Sequence, residues 1–222
     1  MGKTIEIGAA DGHKFAAYRA EPAGKPRGAI VVVQEIFGVN GHIRHVADDF
    51  AKQGYLAIAP ALFDRTKRGV ELGYQPNDIA AGRDLRAAVG DDGPLADLQA
   101  TIDEASKGGK VAVIGYCWGG SLAYLSATRL KGIAGAVGYY GGAIAAHAGE
   151  KTKVPVMLHF GETDQSIPMS DVEKVRTAHP EIPIHVYPAG HGFSCDERGS
   201  YHAESARIAL DRTLGFLKQH IG

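Results

Sequence analysis

The sequence predicts an α/β protein, specifically a three-layer α/β/α sandwich around a mainly parallel central sheet. Short β-branched runs alternate with segments of helical periodicity along most of the chain, and such alternation implies right-handed crossovers between parallel strands. Several of the apolar runs are continuous, which is typical of strands that are covered on both faces. Helices are therefore expected on both sides of the sheet.

The composition fits one domain that spans residues 1–222. The chain is 45% hydrophobic and 22% charged, which is enough for a substantial core. Lys and Arg together number 24 and Asp and Glu 25, so no net charge attracts nucleic acid or an anionic membrane. No run approaches the roughly 18 apolar residues of a membrane span, and the first residues do not resemble a signal peptide. We therefore expect a cytoplasmic monomer with no nucleic-acid or membrane partner.

The first strands form a predicted hairpin. Residues 4–9 and 13–20 alternate between apolar and polar side chains, and the turn formers Asp11 and Gly12 separate them. A continuous β-branched run at residues 29–35 predicts the first strand that is buried on both faces.

Helices and strands then alternate. Helical spacing at residues 42–54 is followed by a strand at 55–61 and by a polar segment, 64–75, that is expected to be a mobile surface loop. Two helices are predicted next, one over residues 77–89 and one that begins at Pro94, since proline suits a first helical position.

A third buried strand at residues 110–116 leads to a helix after Cys117. The rest of the chain repeats the pattern. Strands are predicted at 132–141, 154–162 and 182–189, one helix is opened by a capping box from Ser170 to Glu173, and the last helix covers 201–220.

Chemistry-bearing residues follow four of the predicted strands. Glu35, Cys117, Asp164 and His191 each come at or just past the end of a strand. In parallel sheets the functional groups collect at the carboxyl ends of the strands. We therefore expect these four side chains at one edge of the sheet.

The GYCWG segment around Cys117 fits a nucleophile elbow, in which small residues two before and two after allow a strained turn. Amides at the start of the following helix would favour a thiolate, and the amide of Trp118 would donate to an oxyanion. The alternative is that Cys117 is an inert buried thiol.

Asp164 and His191 also have simpler interpretations. Asp164 lies in a turn-rich segment where aspartate often caps a turn, and His191 lies between glycines in what is otherwise a surface loop. Together with Cys117, however, they supply a nucleophile, a base and a carboxylate that orients the base, as nucleophilic catalysis requires.

The segments that carry these residues resemble the dienelactone hydrolase family, the cysteine-dependent members of the α/β-hydrolase fold. The resemblance rests on QEIFGVN, GYLAIAP, GYCWGG, HFGETDQSIP and PAGHGF, and it covers nearly the whole chain. It implies cofactor-independent hydrolysis of a strained unsaturated lactone or related ester through an acyl-thioester. Cys117 would be the nucleophile, His191 the base and Asp164 its orienting partner.

The resemblance further implies that Glu35 contacts the resting thiol and that the amides of Ile36 and Trp118 form the oxyanion hole. Family members that act on dienelactone hold the substrate carboxylate with arginines, one of them shortly after the catalytic histidine. This chain departs from that pattern, because the nearest arginine after His191 is Arg198.

Other residues are weaker candidates. Phe37, Arg83, Phe193 and Arg198 are the candidate substrate contacts; for Arg83, as for Arg86, plain surface charge is the favoured alternative. Tyr139 and Tyr140 either line the pocket or pack within the sheet. His42 and His45 have a spacing that can bind metal, but no third ligand is apparent, so a solvated helix start is favoured and no metal is predicted.

The two cysteines, Cys117 and Cys195, are expected to be free thiols in a reducing compartment, with a disulfide between them as the alternative. Two further functions remain open. One is a broader carboxylesterase or thioesterase with the same machinery. The other is a redox-sensing protein with no acyl turnover, which would need neither Asp164 nor His191 and for which Cys195 is the only available resolving cysteine.

Overall fold

The computed structural model describes residues 2–222 and contains an eight-stranded sheet flanked by helices. The strands are β1 (Lys3–Gly8), β2 (Lys14–Ala20), β3 (Ala29–Val33), β4 (Leu56–Pro60), β5 (Val111–Tyr116), β6 (Ile133–Tyr139), β7 (Val156–Gly161) and β8 (Ile184–Tyr187).

The strand order in the sheet is β1-β2-β4-β3-β5-β6-β7-β8. β1 pairs antiparallel with β2, and β2 pairs antiparallel with β4. All the remaining pairs, from β4 across to β8, are parallel. The predicted α/β class with a mainly parallel sheet is confirmed, as is the predicted hairpin.

Six α-helices connect or follow the strands within residues 2–222. They are α1 (Gly41–Lys52), α2 (Pro76–Val89), α3 (Asp92–Ala105), α4 (Trp118–Arg129), α5 (Met169–Ala178) and α6 (Ala203–His220). None of the helices in this described part of the chain is both long and apolar enough to cross a membrane.

Two predicted helix starts are wrong. α3 begins at Asp92, two residues before Pro94, because proline is tolerated throughout the first turn, where its missing N–H has no partner to lose. α5 begins at Met169 after Pro168, whose extended backbone leads into the helix, and no side chain caps it. Ser170 therefore lies inside the first turn, and the predicted capping box is not formed.

The segment 64–75 is not the simple surface loop that its composition suggests. Asp64 and Val70 are buried, and the Asp64 carboxylate accepts hydrogen bonds from the amides of Ala16 (2.8 Å) and Gly69 (3.3 Å). A β-bridge joins Glu71 to the loop after β3. The segment is thus attached at several points to the sheet and to the edge at which the strands end.

The central strands β3, β4 and β5 are buried along their whole length, as the continuous apolar runs predict. Because they are parallel neighbours, the chain leaves β3 and β5 at the same edge of the sheet, and β7 and β8 end at that edge too. This edge brings together segments that are more than 150 residues apart in the chain.

Candidate active site

Cys117 occupies a strained turn between β5 and α4. Its φ of 55° and ψ of −117° lie where residues other than glycine are seldom found, at a cost of about 1–3 kcal/mol. The surroundings enforce this turn: the Cys117 amide donates to the Tyr139 carbonyl at 3.0 Å. A Cβ at Gly115 would lie 1.8 Å from the Gly119 carbonyl oxygen, so only glycine fits at position 115.

The Cys117 sulfur lies within reach of the other two predicted residues. His191 Nε2 is 3.1 Å from Cys117 Sγ, and His191 Nδ1 is 2.7 Å from Asp164 Oδ2. The Asp164 side chain is completely buried, and its other oxygen accepts a hydrogen bond of 2.7 Å from the Ser166 amide. The structure therefore brings sulfur, imidazole and carboxylate into one hydrogen-bonded line.

His191 is a strong base in this setting. Burial alone would lower its pKa, because burial disfavours the charged ring, but the hydrogen bonds to Asp164 and to Cys117 outweigh burial and raise the pKa to about 10. The imidazolium is thus the favoured form at neutral pH.

Glu35 has a different partner from the one expected. Its carboxylate is almost completely buried, and Oε1 accepts a hydrogen bond of 2.8 Å from Arg198 Nη1. The other oxygen, Oε2, has no hydrogen-bond partner within residues 2–222. The expectation of a contact with the resting thiol is therefore not met: the sulfur contacts His191, and the guanidinium offsets the cost of burying the carboxylate.

The two candidate oxyanion residues line the same cavity as Cys117. Trp118 is the first residue of α4, so its amide has no partner within the helix, and the Ile36 amide makes no hydrogen bond within the described residues. The loop that carries Ile36 is tightly held. A Cβ on Gly82 of α2 would lie 2.2 Å from the Ile36 carbonyl oxygen, so the helix packs directly on this loop.

The Trp118 side chain is fixed by contacts that the sequence did not predict. Its indole Nε1 donates to Asp91 at 3.2 Å, and its ring stacks on Phe63 with centroids 5.3 Å apart. Asp91 also accepts a hydrogen bond from Arg86 at 3.3 Å. No local motif marks Asp91, because it lies in a short junction between α2 and α3.

These groups border a cavity of about 340 Å³. Its lining includes Cys117, His191, the two candidate oxyanion residues, three arginines and a set of small or apolar side chains: Ile36, Phe37, Ile79, Arg83, Arg86, Cys117, Trp118, Ser121, Gly142, Ala143, Ser166, Ile167, His191 and Arg198. No acidic residue is among these lining residues, although Arg86 is hydrogen-bonded to Asp91 and Arg198 is paired with Glu35. Arg83 and Arg86 are thus part of the cavity wall, although surface charge was favoured for both.

Several predicted neighbours of the site lie elsewhere. Phe193 is fully buried and packs on Tyr140 and Tyr187, with ring centroids 5.3 and 5.1 Å away, so its expected role in substrate contact is wrong. Tyr139 and Tyr140 are also buried. Their side chains pack within the protein and do not line the active-site cavity, which is the second of the two predicted alternatives. The Tyr140 ring nevertheless lies 5.2 Å from the His191 ring and so supports the imidazole.

Both cysteines are free, as expected. Burial, with a smaller contribution from the Glu35 charge, raises the pKa of Cys195 to about 12. Cys195 is thus a protonated thiol that is poorly suited to resolve an oxidised Cys117.

His42 is buried rather than solvated, contrary to expectation. Within residues 2–222, no group of three or more His, Cys, Asp or Glu side chains is arranged to hold a metal ion.

The fold and the site together define the class of protein. A parallel sheet whose strand ends present a cysteine elbow, a histidine and an aspartate, in that chain order, is an α/β-hydrolase. The model of the dienelactone hydrolase family matches residues 15–221. The chain belongs to this family and is a hydrolase that acts on ester or lactone bonds.

Individual proteins agree with this assignment. A Synechocystis sp. protein is 39% identical over 220 residues, which cover 90% of this chain and 89% of that protein. The carboxymethylenebutenolidase of Pseudomonas putida is 35% identical, with 96% of this chain and 94% of that protein covered. The crystal structure of a Klebsiella pneumoniae protein superimposes with a TM-score of 0.87 at 33% identity and covers 99% of both chains.

Proposed function

We propose that this protein hydrolyses a small lactone or ester that carries a carboxylate, through an acyl-thioester on Cys117. The observation that carries the proposal is the line of contacts from Cys117 Sγ to His191 (3.1 Å) and from His191 to Asp164 (2.7 Å). A nucleophile, a base within hydrogen-bond reach and a third group that orients the base are the arrangement needed for covalent catalysis.

In the acylation step, the sulfur attacks the carbonyl carbon of the ester, and the thiol proton resides on His191 Nε2. The carbonyl oxygen becomes negative in the tetrahedral intermediate, where the amides of Ile36 and Trp118 donate hydrogen bonds to it. When the intermediate collapses, the ester C–O bond breaks and the leaving oxygen takes the proton from His191. The acyl group then remains on Cys117 as a thioester.

In the deacylation step, a water molecule gives a proton to His191, and its oxygen attacks the thioester carbonyl carbon. The C–S bond breaks, the carboxylic acid leaves, and the sulfur regains its pairing with the protonated imidazole. Asp164 keeps Nδ1 of His191 protonated throughout, so Nε2 always faces the reacting atoms.

The substrate class follows from the cavity wall. Arg83, Arg86 and Arg198 border the same cavity of about 340 Å³ as Cys117, which suits a compact substrate with a carboxylate. Arg198 is already paired with Glu35, so a substrate carboxylate would compete with Glu35 for it. The Pseudomonas putida relative is named for the hydrolysis of a carboxymethylene-bearing butenolide, which is a substrate of this type.

Glu35 is proposed to restrain the thiol before substrate arrives. Its buried carboxylate is paired with Arg198, which borders the same cavity as Cys117, and one of its oxygens has no partner within residues 2–222. A negative charge near the sulfur disfavours a second negative charge there. A substrate carboxylate that takes Arg198 would shift Glu35 and so weaken this restraint on the sulfur when an ester is bound.

The experiment compares an anionic dienelactone with a neutral p-nitrophenyl ester on the wild type, Cys117→Ala and Cys195→Ala. Cys117→Ala should lose hydrolysis of both substrates, whereas Cys195→Ala, the matched control, should retain it. The wild type should show a much higher kcat/KM for the anionic lactone. Retained turnover in a folded Cys117→Ala variant would exclude the nucleophile, and equal kcat/KM values would instead support a broader carboxylesterase.

A further inference from the structure

A second cavity, of about 370 Å³, lies between α1 and α6 and shares no lining residue with the active-site cavity. Its inner wall is formed by the buried rings of Phe50, Tyr116 and Tyr139. Its border includes Tyr201 and Leu210, which are 44% and 43% exposed and are the only exposed large hydrophobic side chains in the described part of the chain. An aromatic interior thus opens to solvent through an apolar mouth.

The wall of this cavity holds one buried imidazole nitrogen that has no hydrogen-bond partner in the fold. His42 is 5% exposed; its Nδ1 lies 3.3 Å from Asp196 Oδ1, but its Nε2 has no partner in residues 2–222. Buried polar groups in native proteins nearly always have partners, so His42 Nε2 leaves capacity for a hydrogen bond to a ligand.

The charged groups that border this cavity differ from those of the active-site cavity. Asp49 and Asp196 lie on its border, and its one arginine, Arg207, is paired with Asp211 at 3.0 Å. Because Asp49 is in turn paired with Lys52 at 2.7 Å, Asp196 is the carboxylate that gives this border its negative charge. Carboxylates at the entrance accept hydrogen bonds and repel anions. A substrate suited to the arginines of the active site is therefore a poor ligand here.

The cavity is already formed without a ligand. Ser194, in its wall, is hydrogen-bonded through Oγ to the Tyr140 hydroxyl at 2.6 Å. The His202 amide donates to the Phe193 carbonyl at 3.0 Å, and the His202 ring caps the first turn of α6 through the Ser205 amide. Pockets that bind small molecules are usually largely pre-formed in this way.

We propose that the cavity between α1 and α6 binds a small aromatic compound that carries a hydroxyl or amine donor and no negative charge. The ring packs against the tyrosine and phenylalanine side chains, and the donor reaches the Asp196 carboxylate or the His42 imidazole. An apolar cavity of about 150 Å³ is enough for benzene, so the volume here accommodates a substituted ring. The inference does not depend on the proposed hydrolytic mechanism, because binding is measured without turnover.

The test is calorimetric titration of the full chain with three probes: phenol, anisole and benzoate. Phenol should bind with a Kd on the order of 1 mM, the affinity that a ligand of its size reaches in a fitting pocket. Anisole, which has no donor, should bind at least fivefold more weakly, and benzoate should show no binding at this site. Equal affinity for phenol and anisole, or for phenol and benzoate, would overturn the assigned ligand class.

Three variants locate the binding. Ala206→Phe places a ring in the second cavity and should raise the Kd for phenol at least tenfold; if this variant does not fold, Ala203→Phe, at an exposed wall position, serves instead. Lys218→Phe adds the same ring elsewhere on α6, and Ala143→Phe places it in the active-site cavity; neither should change the Kd. Loss of phenol binding in Ala143→Phe, or unchanged binding in Ala206→Phe, would contradict the proposed site.

Discussion

Replacement of Asp164 by asparagine separates the charge of the carboxylate from its shape. The carboxylate is completely buried and lies 2.7 Å from His191 Nδ1, and hydrogen bonds to charged groups contribute about 1.5–3 kcal/mol. One pKa unit corresponds to about 1.4 kcal/mol, so Asp164→Asn should lower the pKa of His191 by about 1–2 units from its value of about 10. An amide that presents its N–H to Nδ1 also stabilises the wrong tautomer, and kcat should fall by about 10⁴.

The assay is NMR titration of the His191 ring, together with kcat for the anionic lactone, in Asp164→Asn and in the control Glu162→Gln. Glu162 is exposed two residues earlier in the chain, so its replacement should leave both quantities unchanged. A folded Asp164→Asn variant with an unchanged His191 pKa and near wild-type kcat would refute the assignment of Asp164 as the group that orients His191.

The same pKa determines how stability depends on pH. Because folding raises the pKa of His191 from 6.5 to about 10, its contribution to the free energy of unfolding is fully present below pH 6.5 and is lost as pH rises through about 10. Chemical denaturation between pH 6 and pH 10.5 should show this loss in the wild type and a smaller loss in Asp164→Asn. Identical pH profiles for the two proteins would contradict the linkage.

Three further predictions concern the elbow, the arginines and Glu35. Gly115→Ala should lower the free energy of unfolding by about 3–5 kcal/mol in denaturant titrations, because the new methyl group overlaps a backbone carbonyl. The control Gly215→Ala adds a methyl group in open space on α6 and should be neutral or stabilising by up to about 1 kcal/mol. Arg86→Met should raise KM about tenfold or more for the anionic lactone and little for a neutral ester; equal changes would mean that no carboxylate binds there. Glu35→Gln should speed the labelling of Cys117 by iodoacetamide near neutral pH in the absence of substrate, whereas Glu197→Gln, a control at an exposed position, should not. Unchanged or slower labelling in Glu35→Gln would show that Glu35 does not restrain the sulfur.

The positions of the central site residues could be predicted because they depend on local patterns. The glycines around Cys117 and the ends of β5 and β7 are visible in short stretches of sequence, and parallel strands necessarily end at a common edge. That rule was sufficient to expect Cys117, Asp164 and His191 near one another. The distances between them depend on backbone details that the sequence pattern does not contain.

The contacts that were missed are those between distant segments. Arg198 and Glu35 are 163 residues apart in the chain, and only the folded arrangement shows that they pair with each other. Phe193 follows His191 closely, yet the chain turns inward after the histidine and buries the ring among tyrosines. Asp91 looks like an ordinary residue between helices, although it fixes the indole of Trp118.

The central claim is that the acyl group is carried by Cys117, and intact-protein mass spectrometry tests it most directly. His191→Ala should slow deacylation, so mixing this variant with a p-nitrophenyl ester and quenching in acid should reveal the added mass of one acyl group. Peptide mapping should place that mass on Cys117, hydroxylamine should remove it, and Cys195→Ala in the same background should acquire it equally. Turnover of the ester by the wild type, with no acyl group on Cys117 in any quenched sample and with the label at another residue, would contradict the account.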